Sequence, residues 1–180
     1  MTADVSARLA WPDDAAAIAR VQIAAWRDMY ADLLAPEVLA SLDFNEFAER
    51  WSASLTKPQD ARMRVLVALE RADVCGFAFV HPSFDPDADP VADGEVGELV
   101  VDPGHRREGH GSRLLQAAMD TMAADRFTRV RWWITSTDDA LREFVTGSGW
   151  AADGAHRELQ DDTGTTVKQV RLHTTLAPAP

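Results

Sequence analysis

Two glutamates lead an apolar strand, Glu95-Val-Gly-Glu98-Leu-Val-Val-Asp102, and the chain then runs through Pro103 into Gly104-His-Arg-Arg-Glu-Gly-His-Gly111. A strand carboxylate can act as a general base. A glycine-rich turn that opens a helix can cradle a pyrophosphate, because a helix start presents unpaired N–H groups and the positive end of its dipole. Glycine there lets an anion reach the main chain without a Cβ in the way. The spacing is Arg106-x-x-Gly109-x-Gly111, preceded by Leu99-x-Val101-x-Pro103. It is not a dinucleotide fingerprint, whose first glycine follows the strand directly; here Asp102-Pro-Gly-His-Arg-Arg-Glu108 intervenes and no third glycine stands at the required offset. No Lys-Ser or Lys-Thr follows the glycines, which excludes a Walker loop. His105 and His110 read as exposed loop residues, and no metal is expected because no cysteine or carboxylate partner shares their spacing.

The elements that must position these residues follow from hydrophobic period and punctuation. Val5 to Leu9 reads as a first strand, and Trp11-Pro-Asp-Asp14 as a stop followed by helix-start acids. Ile18, Val21, Ala25 and Met29 recur at helical spacing from Ala15 to Tyr30, with Trp26 and Tyr30 offset toward a neighbouring face. Pro36 to Leu42 and Asn45 to Leu55 read as two further helical pieces. Met63 to Glu70 and Val74 to His81, separated by Arg71-Ala-Asp73, read as a hairpin. Pro82 to Asp93, broken by three prolines, reads as an irregular, mobile acidic loop. A strand Glu95 to Asp102, a helix Gly111 to Ala124 and a strand Arg129 to Thr135 suggest a parallel pair with a crossover. Asp138 to Gly147 is a helix, capped by Thr137 or Asp138, and Trp150 to Glu158 and Val167 to Thr175 close the sheet. Residues 1–176 are expected to form one domain, with residues 177–180 a frayed tail.

Formal charge is −11, from 29 acids against 18 Lys plus Arg, which weighs against a nucleic-acid surface and tilts modestly toward cationic substrates. Asp85, Asp87, Asp89, Asp93, Glu95 and Glu98 form a run without a basic residue, read as a solvated loop or as the acidic wall of an amine site. Cys75, the one cysteine, lies in an apolar run and reads as a small buried hydrophobe suited to a reducing interior. No signal peptide or membrane span is expected, so a cytoplasmic protein without membrane partners is anticipated. A homodimer is compatible with the exposed aromatics.

The motif around Gly109 resembles motif A of the GNAT superfamily of acyl-CoA N-acyltransferases. Pro12-Asp-Asp-Ala15 with Ala24-Ala-Trp26, and Asp138-Asp-Ala140 with Gly149-Trp150, resemble its flanking features. The resemblance implies an α/β (α+β) fold, a mixed, mostly antiparallel sheet of about seven strands flanked by helices. It implies acetyl transfer from acetyl-CoA to a primary amine by direct attack in a ternary complex, without metal, the acceptor being a small molecule or a peptide. A non-catalytic acyl-CoA-binding or regulatory protein on the same fold is the alternative, and a toxin acting on charged tRNA is disfavoured by the charge. In this reading Leu99, Val100 and Val101 line the pantetheine arm, while Arg106, Arg107, Glu108, Gly109, His110, Gly111 and Ser112 hold the pyrophosphate. The Val101 amide stabilises the oxyanion, and Glu95 is the first candidate base with Glu98 the second. Trp26 and Tyr30 border the acceptor. One departure stands out: where many members of the family place a tyrosine acid, this chain has Val145.

Overall fold

The computed structural model describes residues 5–177, so the tail expected at residues 177–180 lies almost wholly outside the described residues. Its strands are β1 Val5–Leu9, β2 Arg64–Glu70, β3 Asp73–Pro82, β4 Asp93–Val101, β5 Arg129–Thr135, β6 Ala151–Gln160 and β7 Thr166–Thr175. Its helices are α1 Ala15–Met29, α2 Pro36–Ala40, α3 Phe44–Thr56, α4 His110–Ala124 and α5 Asp139–Gly147. The seven strands form one sheet in the order β1-β2-β3-β4-β5-β7-β6. β4 and β5 run parallel, whereas β1–β2, β2–β3, β5–β7 and β6–β7 are antiparallel, so the sheet is mixed and mostly antiparallel as expected. The crossover between β4 and β5 is α4, as the strand-helix-strand order requires. Among the described residues no helix is long and apolar enough to cross a membrane.

Two compact units share this sheet. The first comprises the chain up to Val80 together with Glu98–Thr121, and the second comprises His81–Gly97 and the chain from Met122 onward. In the first, the stripe Ile18, Val21 and Ala25 of α1 meets the alternating Val65, Val67 and Leu69 of β2, Val74 and Phe77 of β3, and Val100 of β4. α3 adds Trp51 and Leu55 at the edge of this cluster, and Asp43 caps its N-terminus by accepting from the Glu46 N–H at 2.9 Å. β2 and β3 slip register between Ala68 and Leu69: Ala68 faces Gly76 and Leu69 faces Val74, leaving Cys75 as the extra residue of a bulge. Gly76 is needed at that point, because a Cβ there would stand 2.8 Å from the carbonyl oxygen of Val100.

In the second unit Val96, Val130, Trp132, Ile134, Trp150 and Leu172 are buried, with Trp132 and Trp150 meeting edge to face. Asp138 caps α5 by accepting from the Leu141 N–H at 2.9 Å, as read from the sequence. The acidic segment before β4 departs from expectation. It is irregular, but three of its acids, Asp85, Asp87 and Asp93, are ion-paired rather than free. Arg131 and Arg171, buried on β5 and β7, take them up. Arg131 donates to Asp87 at 2.7 Å and to Asp93 at 3.1 Å, and Arg171 donates to Asp85 at 2.9 Å, to Asp87 at 2.8 Å and to Asp153 at 2.6 Å. Arg129 adds a bond to Asp93 at 2.8 Å. A guanidinium removed from water must be paired, and that demand holds the acidic segment against the strands.

The hydrogen bonds from Arg171 and Arg131 hold the Asp87 carboxyl well below the ordinary carboxylate range. For Asp93 and Asp153 burial opposes ionisation, but the bonds to Arg129 and Asp89 in one case, and to Ala155 and Arg171 in the other, outweigh it and lower both carboxyls. Carboxyls lowered on folding contribute stability that is complete above the unfolded value of about 4 and lost as pH falls through the folded values. Arg171→Met is therefore expected to lower Tm by roughly 5–10 °C at pH 7. The gap from wild type should narrow steadily below about pH 4 when both are followed by calorimetry across pH.

Candidate active site

On β4 side chains alternate, so Glu95, Leu99 and Val101 share one face and Glu98 takes the other. The Glu98 carboxylate meets α1. Gln22 Nε2 donates to its Oε2 at 2.7 Å and Trp26 Nε1 donates to its Oε1 at 2.5 Å. Gln22 is itself fixed by accepting from Trp51 Nε1 at 2.7 Å, so α3 sets the amide that α1 presents. Trp26 is further held edge to face by Tyr30 and Phe47, with ring centroids 6.2 and 5.4 Å away. The residue keeps a partly exposed edge, yet burial pushes its carboxyl up from the ordinary glutamate value, with the Trp26 and Gln22 bonds working in the opposite direction. No cation is among its bonded partners; both donors are neutral.

These donors also line an open cavity of about 250 Å³, walled by Gln22, Trp26, Phe47, Trp51 and Phe79 with the exposed Arg50 and Ser54. Edge-to-face aromatic contacts stiffen the wall, Trp51 packing on both Phe77 and Phe79 at 5.2 and 6.1 Å. Of the two aromatics expected at an acceptor, Trp26 faces this cavity, while Tyr30 reaches it only by packing on Trp26. Sequence reading missed Gln22 and Phe47 as site residues, since nothing in one sequence says which face of α3 meets α1.

Past β4, Asp102 accepts from the Gly104 N–H at 2.9 Å and Arg20 donates to it at 3.2 Å, which anchors the turn Pro103–His105. Arg107 and Gly109 both take positive φ, 64° and 86°. At Gly109 a side chain would be strained by φ and would press on Arg113, whose Nη1 stands 2.7 Å from the Cβ position. The Arg113 N–H bonds the Gly109 carbonyl at 3.2 Å and closes the first turn of α4, so the amides of His110, Gly111 and Ser112 lie ahead of the helical ladder. Ser112 and Arg113 are exposed here. This is a backbone cradle that fits an anion.

The remaining residues named from sequence are placed as follows. Glu95 is buried in the second unit and accepts from Ser83 Oγ at 2.9 Å. Val100 turns its side chain into the core with Ile18 and Phe77, because alternation puts it on the α1 face; only its main chain is left for a ligand. Arg106 pairs with Asp28 of α1 at 2.6 Å, which shapes the loop. Glu108 is exposed near His105, with Oε2 at 3.3 Å from Nδ1. His110 is not an exposed loop residue: it is 1% exposed, because the first turn of α4 points its side chain inward. Val145 is fully buried, so the position where a tyrosine acid was sought is core.

Comparison with known proteins places the chain in a family and agrees with its fold. The model of the Acetyltransferase (GNAT) family matches residues 24–149. A mycothiol acetyltransferase of Kineococcus radiotolerans is 37% identical over 91 residues, 51% of this chain and 28% of that protein. The chain therefore matches well under a third of the length of that relative. The uncharacterized N-acetyltransferase YuaI of Bacillus subtilis is 27% identical over 140 residues, 76% of this chain and 75% of the other. Among solved structures, an N-acetyltransferase of Staphylococcus aureus Mu50 superposes with a TM-score of 0.73 at 17% identity, covering 97% of this chain and 99% of that one. The PaiA N-acetyltransferase of Thermoplasma acidophilum, solved with coenzyme A, gives 0.71 at 15% identity, over 96% and 99%.

Desolvation of Glu98 has a direct spectroscopic consequence. In carbon-13 NMR with labelled glutamate, the signal lost in Glu98→Gln should titrate above the reference glutamate value of about 4.3. Trp26→Phe removes a bond that favours the charged form and should move that titration further up. A Glu98 signal at the reference value would show that the carboxylate is not desolvated.

Proposed function

The chain belongs to the GNAT acetyltransferase family and is an acyltransferase, and from that premise we propose that it moves an acetyl group from acetyl-CoA to a primary amine by direct attack in a ternary complex. The observation that carries this reading is the desolvated Glu98 carboxylate, whose two donors, Gln22 and Trp26, line an aromatic cavity. A primary amine arrives protonated and must lose a proton before it can attack. A carboxylate whose proton affinity is raised by burial is a better acceptor than an ordinary one, which is how burial converts a glutamate into a general base. Trp26, Trp51, Phe47 and Phe79 offer faces and edges to a cationic or partly apolar acceptor on its way in.

Acetyl-CoA, when bound, supplies the activated acyl group and a thiol leaving group. The amides of Arg107 to Ser112 would hold its pyrophosphate, each charged hydrogen bond contributing about 1.5–3 kcal/mol. Leu99 and Val101 would line its pantetheine arm, and the main-chain N–H of Val101 would serve the oxyanion. Glu98 takes the first proton from the ammonium. Nitrogen then bonds the thioester carbon, the carbon–sulfur bond breaks, and the second amine proton balances the departing thiolate. With Val145 in the core, that proton passes through solvent, which is adequate for a thiol of pKa about 8.5. Glu95, fixed by Ser83, is the second candidate base.

A small-molecule amine is the first acceptor class to test, several of the curated relatives being mycothiol acetyltransferases, with peptide amines second. The decisive experiment is an amine panel with acetyl-CoA, following free thiol. Glu98→Gln is expected to lower kcat by roughly 10²–10⁴-fold while calorimetric affinity for acetyl-CoA stays as in wild type. The same loss in Glu95→Gln, with Glu98→Gln active, would transfer the role to Glu95. No coenzyme A uptake at all would overturn the reading.

A further inference from the structure

We propose that Glu70, Cys75, His105 and His110 form a closed site for a zinc-class divalent cation, which ties the β2–β3 hairpin to the loop that opens α4. One ligand atom from each of these side chains lies within 4.8 Å of the others. They come from three places in the chain. Glu70 ends β2, Cys75 is the bulged residue of β3, and the two histidines flank Arg106–Gly109. A bulge re-aims a side chain, and the Cys75 carbonyl accepts from the Asp102 N–H at 2.8 Å, which brings the bulge against the start of the loop.

Each contact seen among these residues can be asked whether it accounts for the cluster without an ion. His105 can: its Nδ1 stands 3.2 Å from Glu70 Oε2 and 3.3 Å from Glu108 Oε2, an ordinary surface pairing. Cys75 is buried, and its Sγ–H reaches the Asp73 carbonyl at 3.5 Å. His110 is the residue left over. Its ring is 1% exposed and neither nitrogen has a hydrogen-bond partner, the Glu108 carboxylate standing 3.6 Å from Nε2, beyond bonding length. An imidazole always has two polar nitrogens to satisfy, so burying one with both orphaned is unfavourable. A cation on one nitrogen removes that cost.

The donor set selects the ion. A thiolate, two imidazoles and a carboxylate suit zinc, whereas magnesium and calcium take oxygen ligands. The charges cancel, since one thiolate and one carboxylate balance a divalent ion. Zinc bonds of about 2.0–2.3 Å separate tetrahedral ligand atoms by about 3.3–3.8 Å, so a pair of these atoms at the 4.8 Å limit needs to close by about 1.0–1.5 Å. The exposed ends of Glu70 and His105 can make that movement, while buried Cys75 and His110 supply the fixed half. With all four positions filled by protein the ion is structural. Its place in the chain, immediately flanking the glycine turn, makes it a brace for the loop proposed to hold the pyrophosphate. Sequence spacing concealed the site because Cys75 stands thirty or more residues from either histidine.

The test uses the full chain, stripped with chelator and then titrated with Zn²⁺ or Co²⁺ alone, so its outcome stands whether or not acetyl transfer is found. Calorimetry should show one equivalent of Zn²⁺ and a rise in Tm. Co²⁺ should give a thiolate charge-transfer band together with the intense visible bands of a tetrahedral site. Cys75→Ser should abolish the charge-transfer band, and His110→Leu should weaken binding by at least about 100-fold. His105→Asn, at a half-exposed position, serves where either buried variant fails to fold, and should weaken binding likewise. Glu70→Gln against Glu108→Gln identifies the carboxylate. Absence of stoichiometric binding overturns the proposal. So does a cobalt spectrum unchanged by Cys75→Ser, or a His110→Leu protein that is more stable than wild type and equally so with and without Zn²⁺.

Discussion

A carboxylate can be held away from water at the edge of a hydrophobic core only if both of its oxygens are answered, and at Glu98 the answer comes from two neutral donors on one helix. Gln22 and Trp26 stand four residues apart on α1, which places them one above the other on the same face. The stripe Ile18, Val21 and Ala25 lies beside them and buries against β2 and β3, so the packing of the core also sets the reach of the donors. Trp51 then fixes which end of the Gln22 amide faces the carboxylate. A cationic partner at this place would have lowered the proton affinity; neutral donors satisfy the oxygens and leave the effect of burial dominant.

The second unit solves the opposite problem with the opposite chemistry. Arg131 and Arg171 lie on neighbouring antiparallel strands, within two positions of the β5–β7 register pair Trp133 and Arg171. Two guanidiniums that close must share anions, and Asp87 bonds both while Asp85 and Asp93 divide the remainder. Trp133 lies under Arg171 and Arg157, its centroid 5.4 and 4.3 Å from the two guanidinium carbons, so the aromatic face is already engaged by cations. The acidic balance of the chain is thus partly internal, and the net charge overstates what a substrate meets at this segment.

Much of the fold was legible because period and punctuation act locally. The α1 stripe, the alternation of β2, the proline stop at Pro103 and the Asp138 cap each declare themselves within a few residues. The glycine turn was legible for the same reason, since its demand for positive φ is a property of its own backbone. What stayed hidden depends on partners far apart in sequence. Glu98 finds Gln22 across 76 residues, and Arg171 finds Asp85 across 86. Between two glutamates three residues apart on one strand, alternation says only that they face opposite ways; which face holds α1 is tertiary information. His110 was misread because a polar residue between two glycines resembles a loop, whereas the helix begins one residue before the second glycine and turns the ring inward.

That early helix start has a structural consequence for the loop as a whole. Arg106, Arg107, Glu108 and Gly109 must cross from the turn after β4 to the first residue of α4, and Arg107 and Gly109 take left-handed backbone conformations to do so. A non-glycine residue at positive φ costs free energy, and it persists only where its surroundings determine it. Here the determination comes from both ends: Asp102 ties the entry to Arg20 and Gly104, Arg106 ties the middle to Asp28, and His110 buries the exit. With both ends fixed, the amides between them have few conformations left to lose when an anion arrives. A loop of the same sequence with an exposed His110 would have to pay that ordering at the moment of binding.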